Sequence, residues 1–185
     1  MSMKLHEIYR HAPGMEYYTP TIRPIAYRFS ELGINEAFPF FETWLHHGAF
    51  SLPQSKLMMF EQAFHLINSI LPDEILDSYN HLPMMYRGMV VNHLAISKFK
   101  RGGIPIQSRV MAWTPSLAWV RRFYIARWDS YVILGHQPKA SEVIISMNQE
   151  TMEFLNVENT VNPGETILSL PILKITPDMV VDTNL

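Results

Sequence analysis

The chain has 185 residues, 48% of them apolar and 17% charged, which is enough to bury a full core in one domain and too apolar for a disordered chain. A formal net charge of −2 excludes a whole-molecule basic field that would draw the protein to nucleic acid or to an anionic membrane. The absence of cysteine excludes disulfides, thiolate zinc sites and cysteine nucleophiles. With no apolar run long enough for a membrane span and no leader-like start, the expectation is a soluble, cytoplasmic protein without a membrane partner.

Residues 1–30 carry Pro13, Pro20 and Pro24 among aromatics and show no periodicity, which predicts an extended arm. From Gly33 to Phe50 the aromatics Phe38, Phe40, Phe41, Trp44 and Phe50 crowd a stretch interrupted by Pro39 and Gly48, and this predicts a short, kinked helical segment. Ser51 and Gln54 form a capping-box pattern with Pro53 in the first turn. Leu57, Phe60, Phe64, Ile67 and Leu71 then follow at steps of three and four, so the spacing predicts a helix that ends at Pro72. A second short helix, Asp73 to Tyr79, completes a helical region over 31–82.

After Pro83 the pattern turns to short segments rich in β-branched residues between turn residues: Met84–Val91, Gln107–Trp113, Tyr131–Leu134, Glu142–Met147, Glu165–Leu170 and Ile172–Thr176. One helix interrupts these strands, with Thr114 as its N-cap, Pro115 as its first residue, and Leu117, Val120, Phe123 or Tyr124, and Arg127 at helical spacing. Lys98 to Gly103 reads as a basic, solvated turn, or as an extra contact for nucleic acid or an acidic protein. Helices first and strands later give a single α+β domain over 1–185, with 83–181 as its core.

Three short stretches of that core stand in a telling order. Tyr86-Arg87-Gly88 lies on the first strand, Trp113-Thr114-Pro115-Ser116-Leu117 at a strand-to-helix junction, and Gly164-Glu165-Thr166-Ile167-Leu168 at the opening of a late strand. In these stretches the sequence resembles the Arg-Ser-Glu class of mono-ADP-ribosyltransferases, and most of all its compact phage members. The resemblance covers about Pro83 to Thr176, with 27 positions from Arg87 to Thr114 and 49 from Ser116 to Glu165.

The resemblance implies a split, mainly antiparallel sheet with NAD as the substrate in its cleft, release of nicotinamide, and transfer of ADP-ribose to a macromolecular acceptor, a protein or else a nucleic acid. Arg87 would clamp the pyrophosphate, because a guanidinium presents several donors in fixed geometry. Gly88 would let the cofactor approach the backbone. Glu165 would bond the ribose 2′-hydroxyl and face the positive charge that develops as the nicotinamide bond breaks. Glu158, Glu153 and Glu150 are the alternatives to it. Thr114 and Ser116 would hold ribose and carboxylate in register, and Phe123 or Tyr131 would pack against the nicotinamide. Each position has an ordinary structural role as well: a strand-edge arginine, a solvated carboxylate, a helix cap, a core aromatic.

The departures carry information too. Arginine-modifying members place a second Glu two residues before the catalytic one, and here Pro163 stands in its place, which makes arginine a doubtful acceptor. Hydrolysis of NAD by water, or a catalytically inactive phage-type virion or regulatory binding protein that docks a partner through Phe38–Phe50, remain open. The eight histidines, His46-His47 included, lack metal-ligand spacing, so no metal is expected.

Overall fold

The computed structural model describes residues 21–47, 54–91, 93–105, 110–125, 128, 130–158, 164–170 and 174–183. Over these the chain is α+β, with antiparallel sheets. Strands β1 (Met85–Val90), β4 (Tyr131–His136) and β8 (Val180–Thr183) form one three-stranded sheet in the order β1-β4-β8. Strands β3 (Val110–Trp113), β5 (Val143–Ser146) and β6 (Thr166–Ser169) form a second, in the order β3-β6-β5. The short strands β2 (Ile104–Pro105) and β7 (Lys174–Ile175) pair with each other.

Alternation along the strands explains how the layers stack, because successive side chains of a strand point to opposite faces. Val110 and Ala112 of β3 face the aromatic cluster of the helical layer, while Met111 and Trp113 face Met85, Val132 and Leu134 of the first sheet. The second sheet is therefore covered on both sides, and β3 and β5 are buried along their whole length. Strand β4 repeats the arrangement: Val132 and Leu134 point inward, and Tyr131 and Ile133 pack under helix α6 (Leu117–Ile125).

The helical layer consists of α1 (Ile22–Glu31), α2 (Phe38–His47) and α3 (Gln54–Asn68), followed by the short α4 (Asp73–Ser78). Ile25 and Phe29 of α1, Phe41, Trp44 and Leu45 of α2, and Phe60, Phe64 and Ile67 of α3 fill one core with the second sheet. Gly33, at φ 71°, ends α1, and its N–H bonds the Ser30 carbonyl as a left-handed cap requires. Two further helices lie among the strands, α5 (His93–Gly102) and α7 (Gln149–Phe154).

The structure corrects several readings. Residues 22–30, expected within an extended arm, belong to the helix Ile22–Glu31: Pro24 falls in the first turn, where its missing N–H is harmless, and Ile22, Ile25 and Phe29 step by three and four onto the core. Residues 1–20 lie outside the described residues, as do Ser51 and Pro53 of the capping-box pattern. The basic stretch from Lys98 to Gly102 is the last part of helix α5, not a turn. Helices do not all precede the strands, since α5, α6 and α7 alternate with them.

Candidate active site

Besides packing side chain on side chain, the two sheets are joined by a backbone bridge. Beyond the end of β3, Thr114 forms an isolated antiparallel bridge with Tyr86 of β1, its N–H bonding the Tyr86 carbonyl at 3.0 Å and its carbonyl accepting from the Tyr86 N–H at 2.7 Å. Because Trp113 pairs with Thr166, the chain just after β3 also runs beside the residue just before β6, which is Glu165. The seam thus gathers Arg87 of β1, Thr114 from the end of β3 and Glu165 from the start of β6.

Arg87 sits on β1 next to the bridge. Its Nη1 donates to the Ala112 carbonyl at 2.8 Å, and its enclosed Nε has no hydrogen-bond partner among the described residues. Burial works against the charge on this guanidinium and lowers its pKa, while Tyr124 and Glu165 pull the other way. An enclosed cationic donor with unspent capacity is costly unless something accepts from it.

Glu165 precedes β6 and is 1% exposed. Its carbonyl accepts from the Met147 N–H at 2.8 Å, which ties the segment to the end of β5. Its Oε1 accepts a hydrogen bond from the indole Nε1 of Trp44, which arrives from helix α2, 121 residues away in sequence. Gly164, at φ 78°, lies against the loop of the hydroxyl motif, and a Cβ there would stand 2.8 Å from Pro115 Cγ. Among the alternatives to Glu165, Glu150, Glu153 and Glu158 are exposed, and Glu153 accepts from the Gln149 side chain on α7. Pro163 lies outside the described residues.

The hydroxyl motif divides its work differently from the expectation. Ser116, not Thr114, caps helix α6: its Oγ accepts from the Trp119 N–H at 3.1 Å, and the helix starts at Leu117 instead of Pro115. Thr114 is fully buried in the seam and accepts from the Ser116 N–H at 3.3 Å. The physical reason is that the bridge to Tyr86 holds Thr114 in strand geometry, so capping passes to the next hydroxyl.

Gly88 has a packing role. A Cβ on it would stand 2.0 Å from a ring carbon of Tyr124, whose hydroxyl donates to the Gly88 carbonyl at 2.6 Å. The space expected for a cofactor beside this glycine is thus filled by a tyrosine ring. Phe123 stands apart from the seam, stacked on Trp119 with ring centres 5.3 Å apart and against Trp128 at the same distance. Tyr131 is buried beneath Tyr124. Of the expected site residues, then, the fold brings Arg87, Thr114, Ser116 and Glu165 together, and leaves Phe123 and Tyr131 in a separate aromatic cluster.

Sequence reasoning did not find Trp44. A cavity of about 920 Å³ also opens on the other side of the Gly164 turn, lined among others by Pro24, Met147, Met152, Glu153 and Val157. It does not take in Arg87 or Thr114, so this cavity and the seam do not coincide. No group of three His, Asp or Glu side chains able to hold a metal occurs among the described residues, and none of their helices is long and apolar enough to cross a membrane. Compared with known proteins, the chain matches no family model, no curated protein and no solved structure.

Proposed function

We propose that this protein is a mono-ADP-ribosyltransferase of the Arg-Ser-Glu class, with NAD as its substrate and a protein as its acceptor. The observation that carries the reading is the seam. An arginine with an enclosed donor that has no partner among the described residues, a buried threonine and a carboxylate come to one junction from β1, the end of β3 and the start of β6, which supports the reading.

In this reading Arg87 holds the pyrophosphate, since the planar set of donors on a guanidinium suits phosphate oxygens. Thr114 and Ser116 orient the ribose. Glu165 bonds the 2′-hydroxyl and stabilises the oxocarbenium-like state. The bond between the anomeric carbon and the nicotinamide nitrogen breaks, and nicotinamide leaves with the electron pair. An acceptor nucleophile then bonds to the anomeric carbon and gives up its proton. With Pro163 two positions before Glu165, free arginine and agmatine are poor acceptors, because nothing at that position takes the proton of a guanidinium. If water attacks instead, the same site is an NAD glycohydrolase.

The enclosure of Glu165 beneath Trp44 favours a second reading, a binding protein of the same fold that does no chemistry. A nicotinamide-release assay separates the three. Release only with added lysate supports transfer, release without it supports hydrolysis, and no release under either condition rules out both reactions and supports binding.

A further inference from the structure

Trp44 and Glu165 form a contact that the fold could have avoided. Helix α2 delivers the indole into a packed aromatic core, with the Phe64 ring centre 4.9 Å and the Phe41 ring centre 6.0 Å from that of Trp44. Trp44 is 2% exposed and Glu165 1%, so neither can exchange its partner for water in this arrangement. A carboxylate taken into an apolar core without donors would be strongly disfavoured. An indole N–H is a donor only, and a carboxylate an acceptor, so the pair is matched in kind.

From this we infer that Trp44 is a positioning residue of the site: its indole N–H holds the Glu165 carboxylate in the orientation in which it faces the seam. The helical layer is thereby part of the reacting arrangement. Arg87 on β1 acts on the carboxylate through its charge, and Trp44 on α2 through a directed hydrogen bond. The two restraints act differently, because a charge attracts without fixing the rotation of the carboxyl group, whereas an N–H donor fixes one oxygen.

The inference rests on the transferase reading for its kinetic part alone, and the test separates the two. The full chain contains four tryptophans, so the indole N–H region of a ¹H–¹⁵N spectrum is simple. Trp44→Phe removes the Trp44 resonance and so assigns it; if that variant does not fold, triple-resonance assignment of the unsubstituted protein serves. Glu165→Gln keeps an acceptor of the same shape without its charge, and the Trp44 indole proton is expected to move upfield while the other indoles stay in place.

In nicotinamide release, Trp44→Phe is expected to lower kcat about tenfold or more, the worth of one hydrogen bond to a charged group. KM for NAD is expected to stay within about twofold, since Arg87 is untouched. A packing role alone would reduce thermal stability without splitting kcat from KM. A Trp44 indole that does not respond to Glu165→Gln overturns the inference whatever the activity, as does a folded Trp44→Phe protein with unchanged or raised kcat. An indole that does respond, with no nicotinamide release from either protein, overturns the transferase reading and leaves Trp44 as the residue that holds a buried carboxylate.

Discussion

Two glutamates among the described residues are buried, Glu142 and Glu165, and they are held in opposite ways. Glu142 is served by its own neighbourhood: its Oε2 accepts from the Lys139 N–H at 2.9 Å and meets His136 Nε2 at 2.8 Å. His136 ends β4, Lys139 precedes the 3₁₀ turn Ala140–Glu142 and Glu142 ends it, and the Glu142 N–H donates in return to the Lys139 carbonyl at 2.9 Å. Glu165 has a donor from a helix 121 residues away and a cation on a strand of the other sheet. A carboxylate satisfied by its own turn explains itself as structure. One held in place by separate layers, next to an arginine with an unused donor, points toward a ligand.

Replacing each glutamate by glutamine tests that contrast, and the largest effect is expected at Glu165. Glu165→Gln keeps the shape of the side chain and an acceptor for Trp44, so the protein should fold, while nicotinamide release falls by about 10²–10³. Release rate and thermal midpoint measured on the same preparation decide it. A folded variant with undiminished release would remove Glu165 from the mechanism and make it a second Glu142.

The strand containing Arg87 offers the next test. Gly88→Ala drives a Cβ to within 2.0 Å of the Tyr124 ring, so a loss of about 1–3 kcal/mol of stability is expected from overpacking. For a chain of this length that lowers Tm by about 2–4 °C per kcal/mol. If NAD affinity falls instead and Tm does not change, the glycine is there for the ligand, as its sequence context suggests, and not for the tyrosine.

The two glutamates also mark what a sequence discloses. Six of the eight strands among the described residues were legible because short runs rich in β-branched and apolar residues stand between turn residues, as in Val143–Ser146; β2 and β8, the first two residues long and the second half-exposed, carry no such run. Arg87, Thr114, Ser116 and Glu165 were singled out by a resemblance in their order along the chain, and the fold places them near one another at the seam. Helix α5 was not, because its lysines and arginine suggested a solvated turn, yet Gly102 and Gly103 with positive φ only end it. Thr114 was misread as a cap because the competing bridge to Tyr86 lies 28 residues upstream, beyond any local signal. Trp44 was hidden for the same reason on a larger scale: nothing local distinguishes it from Phe38, Phe40 or Phe41.

Arg87→Lys probes the other restraint on Glu165 and is expected to have a smaller effect than Glu165→Gln. Lysine keeps the charge beside the carboxylate but presents no fork, so NAD should bind about tenfold more weakly, the worth of one charge-assisted hydrogen bond. Calorimetric titration with NAD measures it. Equal affinity would mean that Arg87 acts as a charge alone and that its planar set of donors does not serve the phosphate.

The smallest effect is expected at Glu142, and it should appear in stability and not in nicotinamide release. Burial pushes the Glu142 carboxyl pKa up, but the Lys139 N–H, the His136 ring and the nearby positive charges together outweigh it and hold the group below its ordinary value. A carboxylate depressed on folding contributes stability above its unfolded pKa, and that contribution is lost as the pH falls through the folded pKa. Glu142→Gln should therefore cost about 1–2 kcal/mol near neutral pH, where the charged acceptor is removed. In acid, below the ordinary carboxylate range, the protonated glutamate and the glutamine are nearly equivalent, so the two proteins should converge. Urea unfolding of both proteins across the acid range measures the gap. A gap that stays constant with pH would show that the turn needs the shape of Glu142 and not its charge, and the contrast with Glu165 would then rest on what surrounds Glu165, the Trp44 contact and the Arg87 charge.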